Sequence, residues 1–285
     1  FCKNCRTAHQ KYQVPKRDLF PTSYHYRARF TADVLEGMKG LVSSCEEQFG
    51  SLHDKNVLDI GCNDGSLLNF FRDKGAKTFG IEPTGACEDA IANGHSAIFD
   101  YLSEETANKV VDEYGKPDFI TFTNVFAHIE DLKGVLNSLK ILKHEDTKII
   151  IENHYLGAVL KGNQFDTFYH EHPRTYSYTS FKFMAESLGL KIERLEFPSR
   201  YGGNIRVFMG NNNVLNSDVN LDELELIEGK FYENFRELNK NINLWLKSKN
   251  EEIKKLIEDH GSIHAKAFPG RAAILVKMLN LNSDT

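Results

Sequence analysis

Two periods of apolar residues alternate along this chain. Val57, Leu58 and Ile60 make a short apolar run that ends in the turn Gly61-Cys62-Asn63-Asp64-Gly65, and Leu67, Leu68, Phe70 and Phe71 then take up helical spacing. A run of the first kind reads as a buried strand and one of the second as a helix. The change of period recurs, which predicts strands near 56–60, 77–82, 96–100, 118–125 and 148–153 and helices near 65–74, 84–93, 103–114 and 130–143. Such alternation gives right-handed βαβ units and a mostly parallel sheet. Ahead of it, Phe30, Val34, Leu35, Met38, Leu41 and Val42 predict an amphipathic helix over 30–49, in which Cys45 packs. Behind it come a helix from Phe181 to Leu188 and strands near 191–197 and 203–210, expected to finish the sheet as an antiparallel edge pair. Leu221 to Ile257 keeps helical spacing, as one long helix or a helical pair.

Composition narrows the setting. In 285 residues, 41% are hydrophobic, enough for a substantial core, and the net charge of −5 comes without a basic stripe. No nucleic-acid partner held through its phosphates is expected. No apolar run has the length of a membrane span, so no membrane partner is expected either. Five cysteines, odd in number, suit a reducing cytoplasm better than a disulfide framework. The oligomeric state is not legible.

An α/β sheet of this kind binds ligands at the carboxyl edge of its strands. Glycines in the first turn let the backbone approach a ligand closely. No Gly-Lys-Ser/Thr follows, which disfavours a phosphate-cradling loop. The next strand ends in Glu82-Pro83, about twenty residues on, where an acid accepts hydrogen bonds from ribose hydroxyls. After the third strand, Asp100 can accept from an adenine amine, with Tyr101 covering the ring. Asp100 reads equally as a helix cap, for which Ser103 competes. After the fourth strand, Asn124 to His128 cross the site of the reacting group.

The stretch Asp59, Gly61, Asn63 and Gly65 resembles motif I of class I S-adenosylmethionine-dependent methyltransferases, and Glu82 resembles that family's ribose-binding acid. The negative Asn63-Asp64 turn repels pyrophosphate and suits a cationic sulfonium ligand. The resemblance implies S-adenosylmethionine as cofactor, with Asp59, Gly61, Asn63, Gly65, Glu82, Pro83, Asp100, Tyr101 and Asn124 around it.

Two further motifs carry chemistry. Cys2 and Cys5 have the spacing of half a tetrahedral zinc site, structural in kind, with the other ligands outside the given chain or supplied by His9 or His25; free surface thiols are the alternative. Tyr169-His170-Glu171-His172 sets donor and acid–base groups in a row. Methyl transfer needs a base for the acceptor, and a His–Glu pair can supply it. Metal ligation and plain structural hydrogen bonding are the competing readings.

The run from Phe165 to His172, with Tyr201-Gly202-Gly203-Asn204-Ile205-Arg206-Val207, resembles the sugar C-methyltransferases of deoxysugar biosynthesis. That family joins an N-terminal zinc module, an S-adenosylmethionine domain and a C-terminal Rossmann-like domain, and methylates C3 of nucleotide-linked 4-keto-deoxysugars. The resemblance implies an α/β class I methyltransferase fold with a zinc-module remnant over 1–28 and a methyltransferase domain over 29–215. A helical connector over 216–260 would lead to the start of a C-terminal domain over 261–285, where His264 to Arg271 looks like a first strand and turn. It implies His128, Tyr169, Glu171 and His172 as catalytic residues that form an enolate beside a ketone. Arg271 is a candidate for an acceptor phosphate. The chain departs from the family's usual residues at Asn153-His154, at Pro173-Arg174-Thr175-Tyr176 and at Tyr201, which keeps O-methylation of a sugar hydroxyl open as the alternative. A non-catalytic S-adenosylmethionine-binding protein is the second alternative.

Overall fold

A computed structural model describes residues 1–212, 216, 218–264 and 271–282. Its centre is a seven-stranded sheet. The strands are β1 (Asn56–Ile60), β2 (Lys77–Ile81), β3 (Ser96–Ile98), β4 (Phe119–Thr123), β5 (Lys148–His154), β6 (Lys191–Glu196) and β7 (Asn204–Gly210). Their order is β3-β2-β1-β4-β5-β7-β6. The first five run parallel, with Leu58 opposite Phe79 and Ile120, and β7 runs antiparallel to both β5 and β6. The predicted antiparallel pair therefore closes the sheet with β7 inside and only β6 at the edge.

Strand alternation builds a core on each face. Ile149 and Ile151 join Leu58, Ile60 and Phe122 on one side, whereas Ile150 joins Val57, Phe119 and Phe208 on the other. A sheet covered on both faces explains the unbroken apolar runs. Helix α1 (Ala32–Phe49) covers the second face through Val34, Met38 and Leu41. Phe30, counted into that helix from its spacing, instead sits in a 3-10 turn and is 77% exposed. The crossovers are α2 (Ser66–Arg72), α3 (Ala86–Ala92), α4 (Glu104–Tyr114) and α5 (Leu132–Leu142). Ser103 caps α4 in a reciprocal capping box with Thr106, so the cap falls to Ser103 and not to Asp100.

A short helix α6 (Leu156–Lys161), not evident in the apolar spacing, follows β5, and α7 (Tyr178–Ser187) precedes β6. The helical stretch beyond Leu221 is a pair, α8 (Leu221–Gly229) and α9 (Phe231–His260). Of the predicted strand and turn from His264 to Arg271, residues 265–270 lie outside the described residues; α10 (Ala272–Met278) follows. Among the described residues no helix is long and apolar enough to cross a membrane. All five cysteines are free.

Glu228 fastens the helical pair to the sheet domain. Its buried carboxylate accepts from the Tyr155 hydroxyl at 3.0 Å, from the Tyr178 and Thr179 amides at 2.8 and 2.9 Å, and from the Thr179 hydroxyl. The amides are unpaired donors of the first turn of α7, where a negative charge is also favoured by the helix dipole. Truncation strands these donors, each at about 1–3 kcal/mol. Glu228→Ala is expected to lose at least about 2 kcal/mol in urea unfolding. A change within about 0.5 kcal/mol, the range of ordinary surface substitutions, would rule the latch out.

Candidate functional site

The carboxyl ends of β1, β2, β4 and β5 open into one cleft of about 790 Å³. Pockets that bury a small ligand run about 300–1,000 Å³. A strap over residues 16–28 forms one wall. The Tyr101 hydroxyl donates to the Phe20 carbonyl at 3.0 Å, and Asn63 accepts from the Ala28 amide and donates to the Tyr26 carbonyl.

At one end of the cleft the β1 turn faces Glu82. Gly61 adopts φ +71, and a Cβ there would lie 2.6 Å from a Val125 methyl. Glycine is thus required by conformation and by the neighbouring loop as well as by any ligand. Glu82 accepts from the Asn63 amide at 3.0 Å, and from the Thr84 amide and hydroxyl at 2.9 and 2.6 Å. Burial raises its pKa, against the pull of these three donors. A carboxylate has about four acceptor sites. The one left over is suited to a ribose hydroxyl, so the end fits the nucleoside part of S-adenosylmethionine.

The predicted cofactor residues divide. Gly61, Asn63, Glu82, Pro83, Tyr101 and Asn124 line the cleft; Asp59, Gly65 and Asp100 do not. Asp59 lies within β1 rather than ending it, and accepts from the Thr121 hydroxyl at 2.7 Å. Burial pushes its pKa up to about 7. Gly65, at φ +78, is where α2 passes His95 and Ala90. The Asp100 carboxylate turns back to the Tyr101 amide. Asp64, read above as charge facing the ligand, is fully buried; it accepts from Ser66 and from the Arg29 amide. Adjacent residues in a tight turn face different ways, so only Asn63 of that pair reaches the cleft.

At the other end, three imidazoles converge. The ring centroids of His128 and His172 are 4.9 Å apart, and those of His172 and His154 are 5.3 Å apart. Tyr169, Glu171, Tyr201 and Arg271 line the same end. His128 Nδ1 donates to the Glu171 carbonyl at 2.7 Å, and His172 Nδ1 donates to the Thr167 carbonyl at 3.1 Å. A carbonyl only accepts, so each neutral ring carries its proton on Nδ1 and keeps the Nε2 lone pair. Burial lowers the pKa of all three histidines; neighbouring His128 and His154 add to the effect on His172, and Arg271 and His128 to that on His154. The Tyr169 hydroxyl donates to Glu171 Oε2 at 3.0 Å, and burial with the adjacent carboxylate raises the phenol's pKa, which keeps it a donor. Arg271 pairs with Asp166 at 3.4 Å.

A buried centre supports this end. The Glu152 carboxylate accepts from Arg206 Nε at 2.7 Å, from Asn204 at 2.9 Å and from Arg200 at 3.2 Å. Its carbonyl accepts the amide of Asn124, which is held at φ +55. Tyr201, at φ +53, has the Arg200 guanidinium 5.1 Å from its ring centre. The signal for Tyr201 and His154 in the sequence was their departure from the family's usual residues; for Tyr24 and Tyr26 in the strap there was none, because their place depends on how the strap crosses the sheet.

Cys2 and Cys5 lie together, and hydrogen bonding within the Cys2–Cys5 loop lowers the Cys2 pKa. Among the described residues no group of three or more His, Cys, Asp or Glu is arranged to hold a metal, so neither His9 nor His25 joins Cys2 and Cys5 in such a group.

A family model described as a methyltransferase domain matches residues 32–195. The chain is 30% identical over 211 residues to the C-methyltransferase NovU of Streptomyces niveus, covering 73% of this chain and 49% of that protein. It is 29% identical over 111 residues to the ubiquinone biosynthesis O-methyltransferase of Aeromonas salmonicida (strain A449), covering 37% of this chain and 45% of that one. The chain thus spans about half the length of the curated relatives it matches. The PH0226 protein of Pyrococcus horikoshii OT3 superposes with a TM-score of 0.52 over 70% of this chain and 99% of that chain at 15% identity, a likeness of fold alone. With the family match running over residues 32–195 of 285, from α1 through the glycine turn, Glu82 and the histidine cluster, the chain belongs to the methyltransferase-domain family and has the fold of a class I S-adenosylmethionine-dependent methyltransferase.

Proposed function

We propose that this domain methylates a sugar or sugar nucleotide, at a carbon beside a ketone of a nucleotide-linked sugar. The observation that carries the reading is the pair of neutral imidazoles, His128 and His172, whose Nε2 lone pairs are left free by their Nδ1 bonds to main-chain carbonyls. The similarity to a protein named as a C-methyltransferase supports the same choice. S-adenosylmethionine, when bound, supplies an electrophilic methyl group. The residues of this chain must then orient the acceptor and remove its proton. His172 Nε2 takes the proton from the carbon beside the ketone, with His128 as its neighbour. The Tyr169 hydroxyl, held by Glu171 before the acceptor binds, turns its one proton to the oxygen on which negative charge develops. Glu82, Asn63, Pro83 and Tyr101 are assigned to the donor's nucleoside, and Asn124 to the passage between donor and acceptor. Arg271 is assigned to an acceptor phosphate.

O-methylation of a sugar hydroxyl by the same bases is the second reading, favoured by His154 and Tyr201 in the acceptor end and by the similarity to an O-methyltransferase. A structural zinc at Cys2 and Cys5 would draw its other ligands from outside these 285 residues, and no catalytic step runs through it. The free cysteines are in keeping with a cytoplasmic enzyme.

Incubation with S-adenosylmethionine and a panel of sugar nucleotides in deuterated water, followed by NMR, is expected to show a new carbon-bound methyl and loss of the proton beside the ketone. Methyl groups found only on oxygen would overturn the enolate route. His172→Gln and Glu171→Gln are each expected to lower kcat by about 10²–10⁴, the usual contribution of a general acid or base. Their S-adenosylhomocysteine affinity should stay near wild type in calorimetry; a kcat within tenfold of wild type would remove either residue from the chemistry.

The histidines also set a pH dependence. His154, its pKa pushed down to about 4, stays neutral in the folded chain, whereas in the unfolded chain it takes up a proton near the ordinary 6.5. Between those values the unfolded state binds more protons, so stability rises with pH and falls on acidification from 7 towards 5. Each histidine held neutral contributes up to about 1.4 kcal/mol per pH unit in that window. Urea unfolding of His154→Gln from pH 5 to 7.5 is expected to give a flatter curve than wild type; an unchanged slope would mean that His154 titrates normally.

A further inference from the structure

The proposed chemistry uses the free Nε2 atoms of His128 and His172 and leaves the third imidazole without a task. His154 ends β5 and lines the cleft. Its Nε2 is buried and has no hydrogen-bond partner among the described residues. The Thr123 hydroxyl, at the end of the adjacent strand β4 and also in the cleft lining, is buried and unpartnered in the same way. A stranded buried polar atom costs about 1–3 kcal/mol, and native folds leave few of them. His154 Nε2, on a ring that lines the cleft, marks a place suited to a polar group of a ligand.

The chemistry of the place selects the group. Burial, Arg271 and His128 keep His154 uncharged. Among the described residues no main-chain carbonyl pins its tautomer as in His128 and His172, so Nε2 can serve either as donor or as acceptor. A charged ligand group set against a neutral ring and a neutral hydroxyl would lose its hydration without a countercharge. A hydroxyl, which both donates and accepts, satisfies Nε2 whichever ring nitrogen carries the proton. The spacing also fits: His154 and His172 have ring centroids 5.3 Å apart, so a sugar carbon held against His172 places a ring substituent towards His154. On the far side, Tyr201 stands with its ring centroid 5.5 Å from that of His154 and closes the place with an aromatic wall.

We propose that His154 is a specificity-determining residue whose Nε2 hydrogen-bonds a hydroxyl on the acceptor's sugar ring, so that this enzyme takes a sugar oxygenated at the position next to the methylated centre and discriminates against its deoxy counterpart. The inference rests on the sugar acceptor proposed above and adds which sugars qualify. It assigns His154 to binding, apart from the proton transfer assigned to His172.

The test is a binding cycle on the full chain with S-adenosylhomocysteine bound. The probes are the UDP and dTDP nucleotides of 4-keto-6-deoxyglucose, each beside its 2-deoxy and 3-deoxy analogue, titrated by calorimetry against wild type, His154→Val and His154→Gln. Removal of one hydroxyl is expected to weaken binding to wild type roughly tenfold, since the site's polar atom is then left unpaired. His154→Val should abolish that discrimination, and His154→Gln, which can still donate and accept, should restore part of it. S-adenosylhomocysteine affinity that matches wild type shows that each variant is folded. Equal binding of all analogues by wild type, or the same discrimination in His154→Val, overturns the inference and means that only water fills the place; the sugar acceptor then stands. Failure of every sugar nucleotide to bind, with S-adenosylhomocysteine bound normally, overturns the sugar acceptor and this inference together.

Discussion

A carboxylate with no access to solvent must find donors for its oxygens, and the Glu152 side chain, fully buried near the carboxyl end of β5, organises the acceptor half of the cleft by doing so. Its three donors come from two places: Arg206 and Asn204 on β7, and Arg200 in the turn before it. Arg206 also reaches the Gly37 carbonyl in α1 at 3.2 Å and Glu196 on β6 at 2.7 Å. Arg200 fills the notch over Gly37, where a Cβ would strike its guanidinium. Removal of one member of such a buried pair leaves an uncompensated charge and typically costs about 3–5 kcal/mol. Sheet, covering helix and Tyr201 loop are therefore held in one arrangement.

The same carboxylate positions residues that line the cleft. The Glu152 carbonyl takes the Asn124 amide, and Asn204, held by the carboxylate, donates to the Asn124 side chain at 3.3 Å. Asn124 and Tyr201 both sit in left-handed backbone conformations, at φ +55 and +53. A non-glycine residue there is uncommon and strained, and such strain persists only where the surroundings over-determine it. Here the surroundings are the charge centre behind the cleft.

The cleft's two ends follow opposite electrostatic rules. At the nucleoside end burial raises the pKa of Glu82, and three protein donors pull against it. At the acceptor end burial acts on imidazoles, whose charged form is the one disfavoured, and leaves them as neutral bases. A methyl donor that carries positive charge and an acceptor that must lose a proton ask for that division. The strap over residues 16–28 bridges the two, with the Phe20 ring against His128 at 5.1 Å and Asn63 tied to Ala28 and Tyr26.

Much of this was legible in the order of residues. Period and punctuation determined the βαβ repeat, the turn at Gly61 and the acid at Glu82, because a buried parallel strand and its crossover helix leave patterns that depend on neighbours a few residues away. The unusual Tyr169-Glu171-His172 run singled out residues that line the cleft, for the same local reason. Side-chain direction was decided only by the tertiary structure. Asp59 and Asp64 belong to the motif-bearing stretch yet point to Thr121 and to Ser66, since a one-residue step in a strand or turn reverses a side chain's face, and Gly65 is needed where the chain packs against Ala90 and His95. The tautomers of His128 and His172, the unpartnered His154 and the donors of Glu152 lie equally beyond a linear reading. Each depends on atoms from segments distant in sequence, such as His128 with Glu171 and Glu152 with Arg206, and only the closed fold brings those together.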